Sequence, residues 1–288
     1  MDQSRSQWRQ FWRKLSKRKI SLVGGAIILA YILIAILAPW LAPHDPLHIQ
    51  LDKSLIGPVE NWNMNGNFWF GTDDKGRDIL SRILYGARLS LLVGVVAVGI
   101  GAMIGVPMGL VAGYYGGWWD TILMRIIDVL LAFPGMLLAL AIVSALGPSL
   151  FNVMLAVGIF SIPTFARLVR GSTLTVKRLE YIDAIRALGA GDLTIVTVHI
   201  LPNVVSPIIV QGTLRLATAI LTAAGLSFLG MGAQPPTPEW GAMLSNGRDF
   251  IFSAPYVAVF PGLAIAFLVI GFNLFGDGLR DALDQRMG

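Results

Sequence analysis

The sequence of 288 residues contains no cysteine and little charge: 14% of its residues are Asp, Glu, Lys or Arg, while 55% are hydrophobic. Without cysteine, the chain forms no disulfide and no thiolate metal site. A soluble domain of ordinary composition carries about 25% charged residues, so this chain has too few polar groups to cover a globular surface. The composition excludes a cytosolic enzyme and indicates an integral membrane protein.

The sequence also lacks a phosphate-binding P-loop. That motif needs Gly-Lys followed by Ser or Thr, and none of the six lysines follows a glycine. The chain therefore has no nucleotide site of this kind. Any step that ATP drives requires a partner protein.

The net charge of +5 is concentrated in residues 1–19, which hold seven basic side chains against one acid, Asp2. A dense basic segment beside a membrane span marks the cytoplasmic side, so we expect a membrane-orienting arm and no nucleic-acid partner. Trp8, Trp12 and Leu15 fall on one helical face, which is typical of a helix lying in the lipid headgroup plane. A basic tail without regular structure is the alternative.

Long uncharged runs predict an all-α membrane protein with six transmembrane helices and cytoplasmic N- and C-termini. A helix needs about 20 apolar residues to cross a bilayer. The predicted segments are the arm (1–19), a first span (20–42), an extracytoplasmic loop (43–88), a core of five spans (89–278; spans near 89–115, 121–146, 148–166, 200–232 and 251–276) and a cytoplasmic tail (279–288). Arg215 interrupts the fifth span, so two short helices hinged there, with seven spans in total, are the alternative.

Four glycines of the second span, Gly101, Gly105, Gly109 and Gly113, recur at every fourth position. This spacing aligns them into a groove on one helix face, where another backbone can approach closely. The helix that fills the groove belongs either to the same chain or to a second subunit.

Three charged residues lie inside predicted spans. Arg125 and Asp128 are three residues apart, so they can form a structural ion pair on one helix face. Arg215 has no acid within two helical turns. An ionisable residue in mid-span usually faces a bundle interior or a water-filled path, so Arg215 either lines a translocation path or makes a polar contact with a neighbouring helix.

Residues 179–189 predict a short amphipathic helix between two spans. Its apolar row is Ile182, Ile185 and Leu188, and its charged row is Glu180, Asp183 and Arg186. Gly189 supplies a helix stop. Since no soluble domain lies beside it, we expect its exposed face to dock in a groove of a partner protein. We expect Pro202 to break the chain's helix before the next span.

The same segment resembles the EAA loop of ABC importer permeases. The resemblance rests on Asp-Ala-Ile at 183–185, on Gly189 and on His-Ile-Leu-Pro at 199–202. Asp, Ile and His at 183, 185 and 199 depart conservatively from the usual Glu, Ala and Ile. In that family the loop is a coupling helix that docks on a separate ATPase subunit. The resemblance thus implies ATPase-coupling roles for Glu180, Tyr181, Asp183, Ala184, Ile185, Arg186, Gly189, Leu201 and Pro202.

Three further motifs resemble the permeases of the dipeptide, oligopeptide and nickel group, and they are closest to the second, C-type permease. The motifs are FGTDDKGRDILSRILYGAR at 70–88, LSFLGMGAQPPTPEWG at 226–241 and NLFGDGLRDALD at 273–284. The resemblance implies the type I ABC importer permease fold and a non-catalytic subunit in a bacterial or archaeal cytoplasmic (inner) membrane. Di- or oligopeptides are the first expected cargo, with nickel, glutathione or another small solute as alternatives.

The resemblance also implies the partners. They are a homologous second permease, two ABC ATPases that carry ATP and Mg²⁺, and an extracytoplasmic substrate-binding protein; this chain itself is expected to bind no cofactor or metal. A proline-rich outer loop is either a contact surface for the binding protein or a simple loop closure. Its candidate contact residues are Gln234, Pro235, Pro236, Glu239 and Trp240.

Two functions of other classes fit the sequence poorly. An intramembrane hydrolase would need Ser227 close to His199, but these residues are 28 positions apart, which is about 42 Å along a helix. A stand-alone channel or secondary transporter would be supported by inverted halves with broken helices, and the sequence shows no such repeat.

Overall fold

The computed structural model describes residues 18–58 and 68–283. The predicted headgroup helix of the arm, with Trp8 and Trp12, and the end of the predicted tail lie outside the described residues. Within the described ranges the chain is all-helical, as predicted, apart from one isolated bridge between Thr72 and Asp78. The main helices are α1 (Lys19–Leu41), α2 (Ile79–Tyr115), α3 (Gly117–Ala132), α4 (Gly135–Leu146), α5 (Leu150–Lys177), α6 (Glu180–Ala187), α7 (Leu201–Phe228), α8 (Trp240–Gly247) and α9 (Tyr256–Leu283).

Five helical runs in the described part of the chain are long and apolar enough to cross a membrane: α1, α2, α5, α9 and the run Asp192–Phe228 that contains α7. The helices α3 and α4 meet at an angle of 89° and together make a broken sixth candidate. The prediction of a continuous third span is therefore wrong. Pro134 accounts for the break, because Phe133 takes the extended conformation (φ −96°, ψ 138°) that a residue before proline favours.

Helix α2 begins at Ile79, well before the predicted second span. Asp78 caps it, and its side chain accepts a hydrogen bond from the backbone N–H of Ser81 at 2.9 Å. Arg82 is buried in the first turns, where its Nε lies 3.5 Å from the carboxylate of Asp73. Because this charge is paired, it does not end the helix, and the last part of the predicted extracytoplasmic loop is helical.

Helix α5 continues to Lys177, beyond the predicted end of the fourth span near residue 166. The basic residues that marked that end are paired. Arg170 donates from Nε and Nη2 to the carboxylate of Asp120 on α3, at 2.5 and 2.7 Å. A bidentate pair of this kind is among the stronger ion pairs in proteins. The helix therefore continues past this charged position.

The expected pair between Arg125 and Asp128 is not formed. Asp128 accepts instead from Nη2 of Arg167 at 2.7 Å. The partner lies on α5, so tertiary packing overrides the local spacing of three residues. The pair links α3 to α5.

Helix α7 passes Arg215 without interruption, so the alternative of two helices hinged there is wrong. Pro202 does not break the helix either. It lies in the first turn of α7, and the preceding residues Ile195–Ile200 form a π turn that bonds the N–H of Leu201 to the carbonyl of Val196. Proline has no N–H to donate, and the wider π turn accommodates this missing donor without breaking the helix. The continuous helix also keeps Ser227 and His199 near opposite ends of the bundle, as the hydrolase argument required.

The glycine row of α2 faces α5 of the same chain. A Cβ atom added at Gly101 would lie 2.5 Å from the Cβ of Ser161, and one at Gly105 would lie 2.6 Å from the carbonyl oxygen of Ile162. The equivalent distances at Gly109 and Gly113 are 2.6 and 2.7 Å. The small residues therefore serve packing within the chain, which decides between the two alternatives that the sequence left open.

We predict that Gly105→Ala destabilises the protein by about 1–3 kcal/mol, because the new methyl group overlaps backbone atoms of α5. Gly99→Ala is the matched control, since a Cβ there meets nothing within 4 Å. Thermal unfolding of the purified protein in detergent measures both. A Gly105→Ala variant as stable as Gly99→Ala would contradict the packing described for this groove.

Candidate functional site

Part of the apolar row of helix α6 packs against other helices of the same chain. Ile182 is fully buried and Ile185 is half-buried. Their cluster joins the ends of several longer helices through Leu110, Tyr114, Val169, Ile195, Ile200 and Val204. Leu188, by contrast, is 87% exposed. The apolar row is therefore divided: Ile182 and Ile185 anchor the helix, and Leu188 remains at the surface.

The two ends of α6 are set by local chemistry. The carboxylates of Glu180 and Asp183 lie in the first turn, where they meet the partial positive charge of the helix N-terminus. At the other end Gly189 has φ +87°, and its N–H bonds to the carbonyl of Arg186 while the N–H of Ala190 bonds to that of Ile185. These two bonds form a Schellman motif, which ends a helix with a left-handed residue.

The remaining surface of α6 is exposed and combines acidic with apolar groups. We call it the α6 face, and its residues are Glu180, Tyr181, Asp183, Ala184, Ala187 and Leu188. The segment that follows Gly189 also exposes large apolar side chains, Leu193 at 77% and Val198 at 58%. An exposed apolar surface that includes large side chains is typical of a protein-binding surface.

Tyr181 connects α6 to the start of α7. Its hydroxyl lies 3.4 Å from the carbonyl oxygen of His199 and accepts a hydrogen bond from the side-chain amide of Asn203 at 3.1 Å. The same amide donates to the His199 carbonyl at 2.7 Å. Leu201 is half-buried beside this network and Pro202 is exposed. Of the nine predicted coupling residues, Leu201 and Pro202 therefore lie in the chain between His199 and Asn203, the two residues to which Tyr181 bonds.

Tyr114, at the end of α2, joins the other elements that surround α6. Its hydroxyl donates to Oδ1 of Asp192 at 2.6 Å. Its carbonyl accepts from the ammonium of Lys177, and its ring faces the guanidinium of Arg186 at 5.9 Å. The interaction with Tyr114 is the largest effect that raises the pKa of Arg186. Arg186 also donates to Asp183 at 3.2 Å.

Sequence reasoning missed Tyr114, Lys177, Asp192 and Asn203. Tyr114 and Asp192 are 78 positions apart, so no local spacing relates them. One signal was present, since Tyr114 ends an uncharged run just before Gly116 and Gly117, where aromatic side chains often mark a membrane boundary. That signal predicts that Tyr114 lies at the membrane interface, but it does not predict which residue Tyr114 contacts.

At the other end of the bundle, the proline-rich loop is only partly exposed. Gln234, Pro235 and Pro236 lie at the surface, whereas Glu239 and Trp240 are buried. The prediction that all five contact a partner is therefore wrong for the last two, which serve the fold.

The roles of the two buried residues are visible in their bonds. Trp240 donates from Nε1 to the carbonyl of Ile83 at 3.0 Å. Glu239 caps α8, accepting from the N–H groups of Gly241 and Ala242, both at 2.9 Å. Burial raises the pKa of the Glu239 carboxyl, and these two backbone bonds act against the rise.

Arg215 lies in the middle of α7 and contacts α5. Its Nη2 donates to the carbonyl of Phe160 at 3.2 Å, and its guanidinium lies 4.8 Å from the centre of the Phe160 ring. This is the polar helix contact that the sequence left as one alternative. It does not exclude the other, because the side chain is only half-buried.

Comparison with known proteins gives consistent results. Residues 105–288 match the family model described as "Binding-protein-dependent transport system inner membrane component". Residues 6–58 match that of the N-terminal TM domain of oligopeptide transport permease C. The chain is 53% identical to the glutathione transport system permease protein GsiD of Escherichia coli O157:H7, over 99% of this chain and 93% of that protein. Identity to GsiD of Shigella dysenteriae serotype 1 is 52% over the same shares.

Among solved structures, the fold is similar to a chain of the MetNI methionine ABC transporter in an inward-facing conformation. The TM-score is 0.58 at 20% identity, covering 71% of this chain and 97% of that one. A second crystal form of the same transporter gives a TM-score of 0.56 at 19% identity. At this identity the likeness concerns the fold alone.

We predict that Tyr114→Phe lowers the free energy of unfolding by about 1 kcal/mol, the usual cost of losing one hydrogen bond. Tyr115→Phe is the matched control, because that neighbouring side chain is 51% exposed. The melting temperatures of the two purified variants are compared. Equal melting temperatures would contradict the role of the Tyr114–Asp192 bond.

Proposed function

The chain belongs to the family of binding-protein-dependent transport system inner membrane components, and from that premise we propose that it forms half of the translocation path for a small peptide. As a member it is a multi-pass inner membrane permease subunit of an ABC importer and is not itself an enzyme, since ATP is hydrolysed by partner ATPases.

Glutathione, itself a tripeptide, is the first cargo to test, because relatives at 53% identity are named glutathione permeases. Other di- and oligopeptides are the next.

The single observation that carries the mechanism is the α6 face. Its acidic and apolar groups are exposed, while Ile182 behind it is fully buried among the ends of the long helices. We propose that this face docks on the ATPase, with Glu180, Tyr181, Asp183, Ala184 and Leu188 in contact. Ile185 and Arg186 hold the helix in place, and Gly189 ends it.

Motion of the ATPase reaches the membrane through the anchors of α6. The bonds of Tyr181 and Asn203 lead to the start of α7, and Tyr114 leads to α2. Displacing α6 therefore shifts the ends of both helices, and the path alternates its access. A homologous second permease and two ATPases that bind ATP and Mg²⁺ complete the complex in this proposal.

The membrane topology proposed here has six crossings, with the bent pair α3 and α4 as the third. Both described chain ends then face the cytoplasm together with α6. This is supported by the ion pair of Arg18 with Asp281 at 2.5 Å, which brings the start of α1 beside the end of α9. The basic arm before Arg18 agrees with that side of the membrane.

On the opposite side, we propose that the exposed residues Gln234, Pro235 and Pro236 contact the substrate-binding protein. They adjoin the segment before α2, which Arg82 fastens to the loop through the carbonyl groups of Pro46, at 3.0 Å, and Pro236, at 3.4 Å. Rigid backbone in this region offers a fixed surface to a partner.

The experiment that tests the proposal is gentle purification of the tagged chain from its native membranes, with mass spectrometry of the proteins that accompany it. We expect a second permease and ATPases with a P-loop. The co-encoded binding protein is then tested with glutathione and dipeptides by calorimetry. A chain that is recovered alone, or only with copies of itself, would contradict the proposed assembly.

We predict that Gly189→Val reduces substrate uptake about tenfold while leaving insertion of the chain in the membrane unchanged. A β-branched residue at φ +87° is strained by about 1–2 kcal/mol, and about 1.4 kcal/mol corresponds to a tenfold change in a population. Strain here unravels the end of the α6 face.

Gly191→Val is the control for that variant. Gly191 has φ −70° and ψ 154°, which valine adopts readily, and a Cβ at either glycine meets nothing within 4 Å. Uptake and ATPase activity are measured on the complete transporter. If both variants transported equally well, the ordered end of α6 would have no part in coupling.

A further inference from the structure

Helix α7 carries a polar stripe along its length. The stripe consists of Gln211, Arg215, Thr218 and Thr222. Their spacings of four, three and four residues place them on one helix face. Most buried residues of the same stretch lie on other faces (Ala217, Ile220, Ala223 and Ala224), whereas Ala219 and Leu226 border the stripe. Thr218 is exposed and the other three stripe residues are half-buried, so the stripe lies at the edge of the core of its own chain.

Lipid is a poor neighbour for this stripe, and Arg215 is the reason. The threonines satisfy their own hydroxyls, since Thr222 donates to the carbonyl of Thr218 at 2.8 Å and Thr218 to that of Arg215 at 3.0 Å. Arg215 has no carboxylate within 4 Å anywhere in residues 18–58 and 68–283, and its Nε has no hydrogen-bond partner there. An ionisable residue in mid-membrane pairs with another charge or with backbone carbonyls, or it faces water. Among the described residues Arg215 donates only to the Phe160 carbonyl and the Thr218 hydroxyl, which leaves its Nε for water or a charged ligand.

The stripe leads into a cavity of about 870 Å³ between the ends of α5, α7 and α9. Gln211 belongs both to the stripe and to the wall of this cavity. The other polar residues of the cavity wall are Ser172, Thr175, Asn203, Ser206 and Arg280. No Asp or Glu lines it among the described residues, so its charge is positive. The cavity and the stripe meet at Gln211; we call the two together the polar track, and it contains two arginines, Arg280 in the cavity and Arg215 on the stripe.

We propose that Arg215 is a specificity-determining residue of this track and favours solutes that carry a carboxylate, such as an anionic small peptide. A guanidinium binds a carboxylate through two parallel hydrogen bonds. The Phe160 ring and carbonyl fix its position, while its Nη1 lies 3.5 Å from the Thr218 hydroxyl on the open side. Walls of low dielectric constant strengthen the attraction. The inference deepens the proposed function and rests on it.

The first part of the test asks whether the stripe faces water. Because the chain has no cysteine, Thr218→Cys and Thr213→Cys each introduce one thiol into it. Thr213 is the matched control, since it lies on the same helix off the stripe and its hydroxyl donates to the carbonyl of Ile209 at 2.9 Å. We expect a water-soluble methanethiosulfonate to label Thr218→Cys about tenfold faster in membranes that contain the whole transporter, because thiolates form only in water.

The second part asks whether Arg215 selects charge. In the Thr218→Cys background, the rates of an anionic and a cationic methanethiosulfonate are compared before and after Arg215→Gln. We expect the ratio of anionic to cationic rate to fall about tenfold and Arg215→Lys to restore most of it. Equal labelling of the two thiols, or a ratio that Arg215→Gln leaves unchanged, would overturn the proposal. Absence of labelling at Thr218→Cys would also overturn it and would assign the stripe to a contact with another subunit.

Uptake of radiolabelled glutathione separates this proposal from the broader one. If the wild-type transporter does not take up glutathione or dipeptides, the proposed cargo is wrong, whereas the labelling ratio still decides the role of Arg215. If the wild-type protein transports glutathione, we expect Arg215→Gln to reduce transport about tenfold and Arg215→Lys to reduce it less. Full transport by Arg215→Gln would contradict a role in selecting the carboxylate.

Discussion

The close approach of α2 to α5 is the contact on which the rest of the structure depends. Four glycines let the backbone of α2 lie directly against Ser161, Ile162, Ala166 and Thr173 of α5. Van der Waals contact of this kind drives helix association in lipid, where apolar side chains gain nothing from leaving water. The same contact brings Lys177 at the end of α5 to the carbonyl of Tyr114 at the end of α2. The position of α6, which follows Lys177 in the chain, is set by that meeting.

Charges near the ends of the helices are neutralised within the chain. Arg170 pairs with Asp120, Arg167 with Asp128, and the buried Arg77 with Asp73 at 2.7 Å. A buried charge without its partner would be strongly destabilising, so the Arg77–Asp73 pair fixes the loop that carries it, whereas the exposed Arg167–Asp128 pair contributes little. Arg215 departs from the pattern, being central in a span and without a carboxylate partner among the described residues. In the proposal made above, this leaves Arg215 available to a solute.

The sequence predicted the elements whose signals are local. The period of Ile182 and Ile185, together with Gly189, predicted α6 within two residues of its limits, because a helix and its glycine end depend on neighbours a few positions away. The partner of Asp128, the burial of Trp240 and the role of Tyr114 could not be predicted, since their contacts lie 39, 157 and 78 positions away. Charged residues also hid the true start of α2 and end of α5, because a charge ends an uncharged run but not a helix, and arginine is a good helix former.

The division of α6 into an anchored and an exposed side follows from its length. A helix of eight residues is unstable alone, so α6 exists only because Ile182 and Tyr181 hold it against longer helices. Its exposed acids and Leu188 therefore form a surface whose shape depends on α2, α5 and α7 together. A partner that moves this surface must either break the anchor or carry the ends of those helices with it. The anchor combines the fully buried Ile182 with two hydrogen bonds of Tyr181, one to Asn203 at the start of α7 and one to the carbonyl of His199, so in the proposed mechanism the ends of the helices move with α6.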